Sequence, residues 1–419
     1  MGLYSIADQL GVRLASGVRE RQWNPRYLTI ALAGMAACDD ALVLMGHERG
    51  IPAWQVYEWI VITALVREWQ GTSKAVGIPG HEKVASALAA DDVVCERTYL
   101  KTANVFGFHG IYRVLGVRCE LFDSSARMLE RGARILRAWE ADQGLDGFVT
   151  GHGPGRDLRQ ALHGEVRRGL EAGHAREPPK WLRDLITTHL SPHESGRAEA
   201  SLLWTTLLAN DPMRREYAEL LTCAEGQQAW TDARTNERRF HDWLLAKASG
   251  PLRQLVITIQ VFERLSRSLT DAWEESLYRL TEARRPMSAA ELAEASTSRD
   301  LARDGAHLFE DAVRELGVID PQLRFRAENS FAWLGESRNP VVTTERLITH
   351  HVNVQARKSR TGKRSWLDRF GDGRVAVRPG YTRNAFESQQ GVYVNQYRAQ
   401  PLWNFATHLG RAVAMKTED

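Results

Sequence analysis

GPLRQLVITIQVFERLSRSLTDAWEESLYRLTEARR, residues 250–285, is the stretch on which the fold reading turns. Leu255, Ile259, Phe262, Leu265, Leu269, Trp273 and Leu277 recur three or four positions apart. That period places them on one stripe of an α-helix and excludes the alternation of a half-buried strand. Such a stripe serves either as the core face of a helical bundle or as a dimerising seam, because it persists over more than three heptads.

Working outward, the same period continues on both sides. ASLLWTTLLAND (200–211) stops before Pro212; PMRREYAELLTCAEGQQAW (212–230) and ERRFHDWLLAKA (237–248) follow, and SAAELAEASTSRDLARDGAHLFEDAVRELG (288–317) supplies two more helices. Residues 197–345 therefore read as a helical bundle. Towards the N-terminus, 27–46 and 51–69 read as two helices joined by HERGIP, with Gly50 ending the first and Pro52 opening the second. The apolar run YLTIALAGMAAC is stopped by Asp39 and Asp40. Two carboxylates at mid-span are too costly in lipid, so a buried helix is expected and no membrane segment.

Between these regions, 149–196 is polar and broken by Gly and Pro, and reads as a linker with short helices. The GHGPGR run (151–156) lacks the spacing of a phosphate loop. The expected fold is mainly α: a multi-domain helical protein with a winged-helix-like unit and a small basic, partly β C-terminal region. Its expected parts are 1–148, the linker 149–196, the bundle 197–345 and the C-terminal region 346–419.

Charge is the least uniform property. The whole chain carries +3, yet Arg357–Arg398 contains ten basic and three acidic residues, +7, which leaves −4 for the remainder. Within it, Arg357, Lys358, Arg360, Lys363, Arg364, Arg374 and Arg378 offer cations for phosphates, and Trp366 offers a surface on which an unpaired base can stack. VAVRPGYT (375–382) and GVYVNQY (391–397) alternate like short strands. The 47 Arg against 8 Lys suit forked recognition of phosphate, and equally suit a bacterial chain of high-GC coding. Cys38, Cys95, Cys119 and Cys223 form no C-x-x-C pair, and read as reduced, mostly buried thiols. No secretory leader is read at the N-terminus, so a cytoplasmic location is expected, with no cofactor and no metal.

One segment carries a resemblance. NVFGFHGIYRVLG (104–116) reads as a short helix, VRCELFD (117–123) as a strand, and SSARMLERGARILRAWEAD (124–142) as a turn, a short strand and a helix containing Arg131-Gly132. Over about residues 100–140 this order resembles the second half of a winged-helix DNA-binding domain. The resemblance implies that an exposed recognition helix enters the major groove, with Lys101, Asn104, His109 and Arg113 as the reading residues. A second resemblance lies at Arg346-Leu347-Ile348-Thr349-His350-His351, whose R-x4-H spacing is similar to the motif of HEPN ribonucleases. It implies Arg346 and His351 as a phosphate-neutralising and proton-transferring pair, although Leu347 departs from the polar residue usual after the Arg.

These readings converge on a non-catalytic nucleic-acid-binding subunit, with DNA favoured over RNA. Its expected setting is a bacterial multi-protein assembly of the defence or DNA-maintenance kind, with a protein partner or a second copy of the chain. The alternatives are a HEPN-like ribonuclease and a helical adaptor.

Overall fold

The computed structural model describes residues 1–358 and 362–413. It is 64% helical, and among the described residues it has twenty α-helices and one two-stranded sheet, as a mainly α multi-domain chain should. The chain forms two compact units that interleave along the sequence. Unit 1 comprises Met1–Leu14 and Ala224–Tyr397, and unit 2 comprises Ala15–Cys223 and Arg398–Asp419. The basic C-terminal region is thus split, with 346–397 in unit 1, and the bundle expected over 197–345 gives its first helices to unit 2.

Unit 1 is built on the helix Gly250–Ala283, which carries Pro251 in its first turn and ends where Arg284 turns left-handed at φ 51°. All seven stripe residues are buried, none above 2% exposed. They form the core between this helix and its main partner, Ser296–Ile319. The stripe is therefore spent inside unit 1 and is not an exposed seam for a second chain. Helices Pro321–Phe331 and Pro340–Ala356 both place Pro in the first turn behind a capping side chain, Asp320 and Asn339, each accepting backbone N–H groups there.

Leu367–Arg369 and Val375–Val377 pair antiparallel, with Leu367 opposite Val377 and Arg369 opposite Val375. Met287 adds a single bridge to Val375. The strand expected over 391–397 is absent. Those residues form an irregular strap whose N–H groups go to carboxylates: Val394 and Asn395 donate to Glu263, and Tyr397 donates to Glu237.

In unit 2, the expected helix over 27–46 is two helices, Tyr27–Ala37 and Asp40–Arg49, bent by 92°. Asp39 causes the break, because its side chain accepts the Leu42 N–H at 3.0 Å and so starts a new helix. Gly50 ends that helix at φ 74°, as expected. Fourteen of the seventeen residues of Ala53–Trp69 are buried, which makes it the central helix of unit 2. Among the described residues no single helix is long and apolar enough to cross a membrane. The region 149–196 contains helices Gly155–Ala172 and Lys180–His189, whose Leu158, Leu162, Val166, Leu170, Leu182 and Ile186 are buried in the unit. Of the four free cysteines only Cys119 is buried, and Cys223 is exposed.

Buried charge holds unit 2 together. Arg26 Nε donates to both oxygens of Glu199, at 3.1 and 3.2 Å, with both side chains at most 1% exposed. Glu58, wholly buried on the central helix, accepts the Tyr99 hydroxyl at 2.8 Å and the His109 N–H at 3.0 Å. This carboxylate caps the helix Phe108–Arg118 and splits the expected 104–116 helix at Gly107, where a Cβ would lie 1.9 Å from Glu58 Oε1. The strand expected over 117–123 is likewise replaced: Val117 and Arg118 finish the helix, and only Phe122 bridges, to Met128.

Burial pushes the Glu58 carboxyl up to about 7, against hydrogen bonds that lower it. Between the unfolded value of 4.5 and about 7, the native chain holds a proton that the unfolded chain has lost. Stability from this group therefore falls as pH rises through that window. Glu58→Gln removes the dependence, so its stability relative to wild type should rise between about pH 5 and about pH 8 in urea titrations. A constant difference across that range would contradict the assignment.

Candidate nucleic-acid interface

The helix Pro340–Ala356 positions most of the C-terminal candidates. Asn339 caps it, accepting from Val341 at 2.9 Å and Val342 at 3.4 Å. Its buried face is Thr343, Thr344, Leu347, Ile348, His351 and Gln355, packed against Ser296–Ile319 and Ala289–Leu292. Leu347, the residue that departs from the ribonuclease pattern, is a core residue at 1% exposure.

Arg346 and His351 are sent to different faces, because five residues at about 100° each leave them roughly 140° apart. Arg346 donates to the Trp333 carbonyl at 3.1 Å and pairs with Glu336. It lines a groove of about 400 Å³ together with Trp333, Thr349, His350, Asn353 and Arg357. His351 points into the core, stacked on Trp273 at 4.1 Å, and its Nε2 accepts the Trp366 N–H at 3.2 Å. Burial holds His351 down to about 3, so it is neutral at physiological pH. The histidine that shares the groove with Arg346 is His350, four residues on. The four-residue spacing carries that signal in the sequence, and the five-residue motif hides it.

At the end of this helix the chain folds back. Lys358 N–H and Lys363 N–H both donate to the Gln355 carbonyl, at 3.1 and 2.9 Å. Gly362 makes the return possible at φ 71°, and a Cβ there would lie 2.9 Å from the Ala356 carbonyl. The fold-back gathers the backbone of Lys358 and Lys363 at one helix terminus, with Arg357 and Arg364 as their chain neighbours. All four side chains are exposed, and none has a carboxylate partner among the described residues. Cations at a helix C-terminus also complement its dipole. Arg360 lies outside the described residues.

The other basic candidates are engaged. Arg374 pairs with Asp372 at 3.5 Å and Arg378 with Asp368 at 2.6 Å. Arg369 donates to the Thr349 hydroxyl at 3.0 Å, and Arg383 pairs with Glu274. Trp366 is not the free stacking surface expected of it. Tyr381 stacks on its ring at 4.9 Å with the planes 9° apart, and His351 closes in at 5.1 Å. Phe370, another of the aromatics interleaved in the basic segment, is 48% exposed at the turn of the hairpin.

The winged-helix candidates lie in unit 2. Lys101 is exposed in the turn before the four-residue helix Ala103–Phe106, which carries exposed Asn104. Arg113 is exposed and donates to the Ser124 carbonyl at 2.7 Å, stapling the loop that follows its helix. His109 departs from the expectation of exposure. It is 6% exposed, its ring stacks on Trp54 at 4.4 Å, and burial holds it down to about 4. A side chain in that position cannot reach a base edge.

No group of three or more His, Cys, Asp or Glu side chains among the described residues is placed to hold a metal ion. No family model, curated protein or solved structure matches the chain.

The packing of Trp366 yields a check that separates structure from binding. Trp366→Ala removes a stacked and partly buried ring and should cost unit 1 about 2–4 kcal/mol in denaturant unfolding. Phe370→Ala, at an exposed turn, should cost about 0.5 kcal/mol or less. Equal effects would contradict the placement of the two rings.

Proposed function

We propose that this chain is a non-catalytic nucleic-acid-binding protein that grips phosphate backbone with the basic end of unit 1. One observation carries the reading: Arg357, Lys358, Lys363 and Arg364 are exposed around a single helix terminus with no carboxylate partner among the described residues, while Arg346, Arg374, Arg378 and Arg383 are matched with carboxylates. Cations with no carboxylate beside them add undiminished to the local positive potential that attracts an anionic partner.

Phosphate contacts of this kind position a protein without reading sequence. With Trp366 covered by Tyr381, the reading rests on backbone contacts to duplex DNA rather than on base stacking at that ring. Neighbouring Arg369, which donates to the Thr349 hydroxyl, extends the positive edge onto the hairpin. Arg113, on the unit 2 helix that resembles a recognition helix, remains exposed as a separate, weaker contact in this reading.

Binding should weaken steeply with salt, because each neutralised phosphate releases counterions. Lys363→Glu with Arg364→Glu should lower the salt slope of duplex-DNA affinity by about one to two units. Both side chains are exposed, so thermal stability should stay close to wild type. Fluorescence anisotropy across a series of salt concentrations measures the slope, and an unchanged slope with unchanged affinity would remove this surface from the proposal.

A further inference from the structure

Unit 1 contains a second, larger concavity on the flank of the Gly250–Ala283 helix. It encloses about 640 Å³, inside the range of roughly 300–1,000 Å³ typical of small-molecule sites. Its walls come from that helix, from Ser296–Ile319, from the short helix Glu237–Leu244, and from the strap segment 388–393. This cleft is lined by different residues from those of the basic helix terminus, and its reading does not depend on nucleic-acid binding.

Four arginines face the cleft: Arg238, Arg264, Arg267 and Arg303. Arg303 is neutralised by Asp300 at 2.9 Å and Asp304 at 2.7 Å. Arg267 gives one terminal nitrogen to Asp271 at 3.2 Å and the other to the Val392 carbonyl at 3.1 Å, while its Nε is buried without an acceptor. Arg238 and Arg264 are exposed to the cleft and have no side-chain acceptor among the described residues. Arg238 also reaches towards the strap, where a Cβ at Gly391 would be 3.8 Å from its Nη1.

The five carboxylates of the same cleft each have a donor, Asp300 and Asp304 sharing Arg303. Asp271 accepts from Arg267 and from the Ser388 hydroxyl at 2.6 Å, and Asp242 accepts from the Gln260 amide at 2.8 Å. Glu263 accepts from Val394, Asn395 and Tyr397 of the strap. The donor capacity left open to the cleft is two whole guanidinium groups, Arg238 and Arg264. Two forked cations call for an anion with several acceptor oxygens, which a phosphate or diphosphate supplies and a single carboxylate does not. Beside them, Ile257, Val261 and Leu308 form an apolar wall that inorganic phosphate would leave uncovered.

We infer that this cleft binds a nucleotide-sized organic phosphate, with the phosphate oxygens on Arg238 and Arg264 and the organic part against Ile257, Val261 and Leu308. The strap contributes Val392 and the Ser388–Asp271 contact to the wall of the cleft.

Isothermal titration calorimetry of the intact chain with pyrophosphate, ADP and adenosine tests the inference. ADP should bind saturably and more tightly than pyrophosphate, and adenosine more weakly than either. Arg264→Ala and Arg238→Ala should each weaken ADP binding by about tenfold or more, as loss of a charge-assisted contact does. Arg299→Ala, an exposed cation outside the cleft, should not change it. Absence of saturable binding by both phosphates overturns the inference, as does ADP binding that survives both arginine substitutions. Pyrophosphate binding tighter than ADP would overturn the organic part of the assignment.

Discussion

The carboxylate of Glu263 is the constraint on which the functional part of unit 1 depends. It sits on the long helix, 3% exposed, and accepts from Val394, from the Asn395 amide at 2.7 Å and from the Tyr397 hydroxyl at 2.7 Å. Burial pushes its pKa up, and these donors oppose the rise. A buried carboxylate with that many donors is costly to strip of any of them. The strap is thereby fixed to the helix, and its residues in turn shape the cleft beside Arg264 and Arg267. Unit 2 repeats the device with Glu58, which holds Tyr99 and caps the helix at His109. In both units a carboxylate on a central helix secures an irregular segment, joined for the strap by Glu237.

The same device explains how far the sequence could be read. The helix 250–283 was legible because its stripe is local and periodic, and Gly50 and Pro52 marked their turn for equally local reasons. The break at Gly107 was legible only as a glycine of low helix propensity; the carboxylate that fixes it is 49 residues away in the chain, at Glu58. The strap at 391–397 alternates like a strand, yet its N–H groups are taken by Glu237 and Glu263 rather than by a neighbouring strand. His109 and Trp366 looked available by type and spacing. Their burial comes from Trp54 and from Tyr381 with His351, partners that periodicity does not reveal. The interleaving of the two units is a property of tertiary packing, and no composition shift marks Leu14 or Cys223.

For the candidate site, the sequence revealed the excess of charge but not its distribution. Ten basic residues within 357–398 identify a basic segment; they do not say which cations are neutralised at home. Folding sorts them. Asp368 and Asp372 lie in the hairpin and claim Arg378 and Arg374, and Glu274 on the long helix claims Arg383. What is left over is the group around the Gln355 carbonyl. That residue also separates two ideas the sequence had placed side by side: the helix that ends in free cations is the helix that buries His351 and directs Arg346 elsewhere.

Hydrogen exchange of the intact chain with and without duplex DNA tests this account most directly, because it reports where the nucleic acid lies without altering any residue. The account predicts DNA-dependent protection of the peptides spanning 353–370, including the turn at Phe370, with the core of the 250–283 helix unchanged. Protection confined to 101–124 in unit 2, or no protection at DNA concentrations that saturate binding, would contradict it.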